Sequence, residues 1–154
     1  RQAIVNPAEL ANHLYRPSYL SGLWALGYYG LIPERVVRYT SVTPRVPRLF
    51  ENDFGQYEYR HLKPPAFFGY RRVKIQTADV LMAEPEKALL DFWHLTQGAW
   101  TEGRMVEMRF QNQDQIRASR LRACAARFDS PRLFRAVAAW QKAVKTENEG
   151  TVQL

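Results

Sequence analysis

The stretch from Val36 to Ala83 breaks into short β-favouring runs separated by turn formers, with helical patterning on both sides of it. VVRYTSVT, RLFEN, QYEYRHL, YRRVKIQ and VLMA are rich in β-branched and aromatic residues, which fit a pleated, half-buried surface, so they predict four or five strands. In QYEYRHL, alternation puts Tyr57, Tyr59 and His61 on one face and Glu58, Arg60 and Leu62 on the other. Asn52-Asp53-Phe54-Gly55 reads as one hairpin loop and Thr77-Ala78-Asp79 as another turn. Pro44 and Pro47 exclude a central strand there and predict an edge or bulge.

The flanking segments carry helix signals. Asn6-Pro7-Ala8-Glu9 combines a capping side chain, a first-turn proline and a glutamate three residues on, predicting a helix to about Tyr15. Ser21 is placed to cap a second helix, GLWALGYY, which Gly30 ends, with Leu23, Leu26, Tyr29 and Leu31 toward the core. EPEKALLDFWHL predicts a mostly buried helix over residues 84–95, with Pro85 in the first turn and Leu89, Leu90, Phe92 and Trp93 spread around it. MVEMRF fits a helical turn or a short strand equally. Asp114 is placed to cap a helix burying Leu121, Cys124, Ala125 and Phe128, and Ser130-Pro131 opens another with Leu133, Val137, Trp140 and Val144 on one stripe. The tail TENEGTVQL has no core pattern and is expected to be loose. The order predicts an α+β fold. It is a single domain over residues 1–146, with a small antiparallel or mixed sheet of four to five strands flanked by N-terminal and C-terminal helices, and a flexible tail at 147–154.

The formal charge of +7 favours an anionic partner such as nucleic acid. No apolar run approaches the roughly 20 residues needed to span a bilayer, which predicts a soluble, cytoplasmic protein. Cys124 is the sole cysteine, which excludes an internal disulfide and fits a reducing compartment. His13, His61 and His94 lack ligand spacing, so neither a metal nor another cofactor is expected. The chain opens on RQAIVNPAEL, with neither a signal segment nor an initiator methionine, as a fragment or processed product would.

No nucleophile elbow, phosphate-binding loop or dinucleotide fingerprint is complete, and Gly55 and Gly69 stand alone. Cys124 reads as a core residue. Glu84 and Glu86 suit the positive end of a helix dipole, and Asp91, four residues after Lys87, suits a surface ion pair. Nine cations lie between Arg35 and Lys74 against Glu51, Asp53 and Glu58. Among them Arg45, Arg48, Arg60, Lys63, Arg71 and Arg72 form the candidate contact set for nucleic acid or a partner, with Tyr57, Tyr59 or Phe67 available for stacking. Strand alternation would scatter these charges, and edge strands carry cations simply to discourage aggregation. Arg117, Arg120, Arg122 and Arg127 read as a solvated helix face. The nearest approach to an enzyme is a degenerate nuclease built on Glu58, His61 and Lys63, for which acidic metal ligands are too sparse.

Taken together and in order, PSYLSGLWALGYYGLIPE, YTSVTP, YEYRHLKPPAFFGY and LMAEPEKALLDFWHL resemble the AbiEi-like antitoxin and transcriptional-regulator family of bacterial type IV toxin-antitoxin, abortive-infection systems. The resemblance covers roughly residues 6–140 and corresponds to that family's C-terminal domain. Ahead of Asn6 there is no room for the family's DNA-reading winged helix, and RQAIV is at most its last wing strand or a linker. Glu84 stands where the family more often has a small capping residue. The resemblance implies a non-enzymatic regulator of phage defence that counteracts a nucleotidyltransferase-type toxin and supports cooperative autoregulation at promoter DNA, through weak basic contacts or self-association. Ser21, Gly30, Pro85, Glu86, Lys87 and Asp91 match the family's motifs and are expected to act as fold determinants.

Overall fold

Asn6 does what its place before Pro7 predicts. In the computed structural model, which describes residues 5–152, its Oδ1 accepts from the N–H groups of Ala8 at 3.0 Å and Glu9 at 3.2 Å, opening α1 (Pro7–Leu14). The chain then forms β1 (Tyr19–Leu20) and α2 (Gly22–Tyr28). Gly30, at φ +70°, ends α2 as its position predicts. Its N–H reaches Gly27 O at 3.1 Å and that of Leu31 reaches Leu26 O at 2.9 Å, the paired closure a left-handed residue permits. Leu26 and Leu31 are buried, but Leu23, expected inside, faces outward.

The strands continue as β2 (Tyr39–Thr43), β3 (Arg48–Asn52), β4 (Gly55–His61), β5 (Tyr70–Ile75) and β6 (Ala78–Ala83). Among the described residues the sheet therefore has six strands rather than four or five, in the order β3-β4-β2-β1-β6-β5. The additional strand, β1, is two residues long yet sits inside the sheet, antiparallel to β2 and parallel to β6 through Leu20 and Met82. With β2 and β4 also parallel, the sheet is mixed. Two boundaries differ from the sequence reading. Residues 36–38 precede β2 rather than belonging to it, and the β5–β6 turn is Gln76-Thr77, with Gln76 at φ +57°, while Ala78 and Asp79 are already strand.

One sheet face is covered by α1. The buried Tyr57 and Tyr59, expected on a common face, donate their hydroxyls to the carbonyls of Pro7 and Ala11, whereas His61 is exposed at the strand end. The Asn12 side chain bonds both the N–H (2.7 Å) and the C=O (3.2 Å) of Leu81, supplying by side chain what so short a β1 cannot supply by ladder. Arg60, one position out of phase with Tyr59, reaches Leu95 O at the end of α3 (Pro85–Leu95) on the opposite face.

Beyond α3, the MVEMRF segment begins in α4 (Glu102–Glu107) and leaves it. Asp114 lies in a short 3₁₀ turn (Gln113–Gln115) and does not cap α5 (Ala118–Phe128), whose preceding residue is Arg117. Ser130 opens α6 (Pro131–Val152), its Oγ accepting from Leu133 N at 3.2 Å. Leu133, Val137 and Trp140 are buried as the stripe predicts, and Trp140 packs on Trp93 (5.7 Å) and Phe110 (4.9 Å). The tail expected to be loose is helical to Val152, although Lys145 to Glu149 are exposed, in keeping with their lack of a core pattern. Residues 153–154, and the RQAI part of the expected wing strand or linker, lie outside the described residues. No helix of the described residues is long and apolar enough to cross a membrane.

Candidate functional site

The pair expected on the surface is the most deeply buried charge in the fold. Lys87 and Asp91 lie one turn apart on α3, their side chains wholly inaccessible, with Nζ 2.6 Å from Oδ1. A buried ammonium must place all three protons, and this one does, donating to Asp91 Oδ1, Tyr19 Oη at 2.7 Å and Ala66 O at 2.8 Å. The other carboxylate oxygen accepts from Ser21 Oγ at 2.7 Å, and the Tyr19 hydroxyl proton lies between it (3.0 Å) and Phe68 O (3.1 Å). Rings of Phe68, Phe128 and Tyr19 surround Nζ at 4.6, 5.0 and 5.4 Å, turning their negative faces to the cation. Ser21 occupies the cap position of α2 without capping it, its hydroxyl being turned to donate to Asp91 instead.

Burial acts on all the ionisable members in the same sense, toward the neutral form. It pushes the Lys87 ammonium below its ordinary value, opposed by Asp91, and pushes the Asp91 carboxyl up, opposed by Lys87, Ser21 and Tyr19. The Tyr19 phenol is held far above its usual range, first by burial and then by the Asp91 charge. With every donor committed and the nearest space a void of about 100 Å³ against Ser21, Thr40 and Asp91, the network has the chemistry of a clamp. It ties β1, the start of α2, the 66–68 loop and α3 to one point.

Neighbouring acids extend it toward the C-terminal helices. Glu86, also buried, accepts from Arg117 N at 2.9 Å at the mouth of α5, with the Arg117 side chain 3.5 Å away. This carboxylate from another helix takes the place at the start of α5 that Asp114 was expected to fill. Glu84 makes no cap bond and instead pairs with Arg120 at 2.7 Å. Arg127 stacks on Phe68 at 3.8 Å. Three of the four cations read as a solvated helix face thus dock α5 onto α3 and the 66–68 loop, and only Arg122 is left for solvent. Arg132 completes the attachment by donating to the carbonyls of Trp93, Thr96 and Gly98 at the end of α3.

The structure divides the basic contact set. β3 and β5 are opposite edges of the six-stranded sheet, about 24 Å apart at the usual strand spacing. Arg45 and Arg48 converge on the Tyr15 ring, at 4.1 and 5.6 Å, beside β3. Arg60 and the exposed Lys63 follow the end of β4, while Arg71 and Arg72 lie on β5 and, as adjacent strand residues, on opposite faces. The set is not one surface. Of the stacking candidates, Tyr57 and Tyr59 are buried and Phe67 is half-buried against Tyr19. Among the described residues no carboxylate lies within 4.0 Å of Arg45, Arg48, Arg60, Lys63, Arg71 or Arg72, so their charge remains free for an anion. The nuclease trio does not assemble: Glu58 turns to Arg38 (3.7 Å), His61 Nδ1 lies 3.0 Å from Arg45 O, and Glu58 and His61 point to opposite faces. Among the described residues no group of three His, Cys, Asp or Glu side chains is placed to hold a metal ion.

Sequence reasoning missed Tyr19, Arg132 and the 66–68 carbonyls. Only Tyr19 left a signal, its place two residues before Ser21 on the same side of an extended segment. Comparison of the chain with protein-family models, curated proteins and solved structures finds no match.

Proposed function

We propose that the chain is the antitoxin and transcriptional-regulator domain of a bacterial type IV toxin-antitoxin system, acting in the cytoplasm without catalysis or cofactor. In this reading it counteracts a nucleotidyltransferase-type toxin and supports cooperative autoregulation at promoter DNA. One observation carries it. Three of the four segments on which the resemblance rests, separate in sequence, meet at the Lys87–Asp91 clamp, with Tyr19 and Ser21 from the first, Ala66 O and Phe68 O from the third and the ion pair from the fourth, while the second forms β2 beside β1. Motif residues that build one buried network are what a fold-defining core requires, and such a role needs no substrate. The unpaired cations at the two sheet edges supply weak, salt-sensitive phosphate contacts.

Co-expression with a nucleotidyltransferase-type toxin of such a system tests the reading, with growth as the readout. Rescue is expected. Failure of rescue while the protein accumulates folded refutes the antitoxin role, and metal-dependent cleavage of nucleic acid by the purified chain refutes the non-catalytic one.

A further inference from the structure

A partly exposed aliphatic and aromatic patch lies on α2 and the segment after it, away from the clamp. Tyr28 is 44% exposed and Val37 73%, and Trp24 stacks on Tyr28 at 5.9 Å with only 14° between the rings. Beside them, Trp24, Gly27, Tyr28, Glu34, Arg35 and Val36 enclose a cleft of about 200 Å³. Its depth depends on Gly27, where a side chain would begin 3.4 Å from Val36 Cγ2 and fill the floor. Tryptophan, tyrosine and arginine around an apolar centre is the composition that carries binding energy at protein interfaces.

From this we infer that the patch is a self-association face whose occupant is a second copy of this chain. Two properties point to self-pairing. The surface holds a hollow, at Gly27, and the exposed Val37 directly follows the lining residue Val36, so we take a two-fold contact to seat each valine in the opposing cleft. Its rim also holds adjacent opposite charges: among the described residues Glu34 has as its ion pair a loose 4.0 Å contact to Arg109, and Arg35 has no carboxylate within 4.0 Å. A two-fold axis near these residues brings Glu34 of each copy to Arg35 of the other, which an isologous interface requires of its own patch. A nucleic-acid partner fits less well, since Val36 and Val37 offer aliphatic surface and Glu34 sets a carboxylate at the rim. The self-association allowed by the proposed function acquires a location here, but the face stands or falls without any toxin.

Sedimentation equilibrium of the purified chain over a wide concentration range tests it. A monomer–dimer equilibrium is expected, abolished by Val37→Asp, which costs the fold little at so exposed a site. Charge reversal at Glu34 (E34R) or Arg35 (R35E) alone is expected to weaken the dimer roughly tenfold, and the double reversal E34R/R35E to restore it, because the pairing is only exchanged. A wild-type chain that stays monomeric, a dimer indifferent to Val37→Asp, or a double reversal no better than the singles overturns the proposal. So does quenching of Trp24 fluorescence by a single-stranded oligonucleotide without dimerisation, which assigns the face to nucleic acid. A wild-type chain that stays monomeric yet rescues growth refutes this face and spares the antitoxin reading, and one that dimerises through this face without rescuing growth does the reverse.

Discussion

Asp91→Ala strips the buried clamp of its only negative charge. Lys87 Nζ loses its 2.6 Å partner and keeps two neutral acceptors, Ala66 O and Tyr19 Oη, in a site with no exposed side-chain surface, while the Ser21 hydroxyl loses its acceptor. Leaving one member of a buried pair uncompensated costs about 3–5 kcal/mol, a large part of the 5–15 kcal/mol that typically holds a domain of this kind together. The melting temperature is then expected to fall by about 10 °C. Lys87→Met, which strands the carboxylate instead, is milder, because Ser21 and Tyr19 still donate to it. The two variants part company with pH. In Lys87→Met the folded Asp91 carboxyl is raised further above its ordinary 3.8, and a raised value gives stability that is complete below 3.8 and lost as pH rises, so this variant is steadiest in acid. In Asp91→Ala the folded Lys87 is depressed further below 10.5, and a depressed value gives stability present above 10.5 and lost as pH falls, so this variant strengthens from neutral toward alkaline pH. Urea midpoints across pH, measured against the wild-type chain, read both slopes. Single variants costing less than about 1 kcal/mol, the ordinary worth of an exposed pair, or slopes of the same sign, refute the account of a buried, mutually compensating pair.

Two further perturbations probe the surroundings. Gly69→Ala is expected to cost about 2 kcal/mol or more, because Gly69 sits at φ +77° and a Cβ there would lie 2.9 Å from Lys87 Cγ. Urea titration checks this, and a loss below about 0.5 kcal/mol, the scale of an ordinary surface change, contradicts the close approach. Alkaline unfolding is the other. Burial raises the Tyr57 phenol from 10.0 to about 12, so its share of stability is whole below pH 10 and lost as pH rises to 12, an effect on the order of 2 kcal/mol. Tyr57→Phe should flatten that loss, as followed by tyrosinate absorbance and circular dichroism together.

What the sequence made legible was local. The caps of α1 and α6, the Gly30 closure and the stripe of Leu133, Val137 and Trp140 each depend on residues within two turns of one another, and each stands in the structure. The spacing of Lys87 and Asp91 was equally local, but their burial is not. It is produced by α5, which brings Phe128 over Nζ, and by the 66–68 loop, and no i,i+4 pattern records what another helix will cover. β1 was invisible because two residues cannot display a period, although its place inside the sheet decides the topology. The division of the basic set between two sheet edges was equally hidden, since proximity along the chain between Arg48 and Arg71 says nothing of strand order.

The clamp poses a question that stability alone does not answer. A buried ion pair is commonly replaceable by apolar residues of similar size at no net cost, so net stabilisation does not explain why a helix this hydrophobic holds one. The apolar residues of α3, among them Leu89, Leu90 and Trp93, are buried around most of its circumference and would pack nearly as well after a small rotation or slide. The hydrogen bonds would not, because Tyr19, Ser21 and Lys87 meet Asp91, and Tyr19 Oη and Ala66 O meet Lys87, in a single register. The hypothesis that the pair selects the register of α3 against β1 makes Lys87→Met combined with Asp91→Leu the discriminating variant. Its urea midpoint should stay near that of the wild-type chain while its near-ultraviolet dichroism, reporting the fixed settings of Trp93 and Tyr19, loses amplitude. A double variant as sharply ordered as the parent removes the register argument and leaves the ion pair as one of several interchangeable cores.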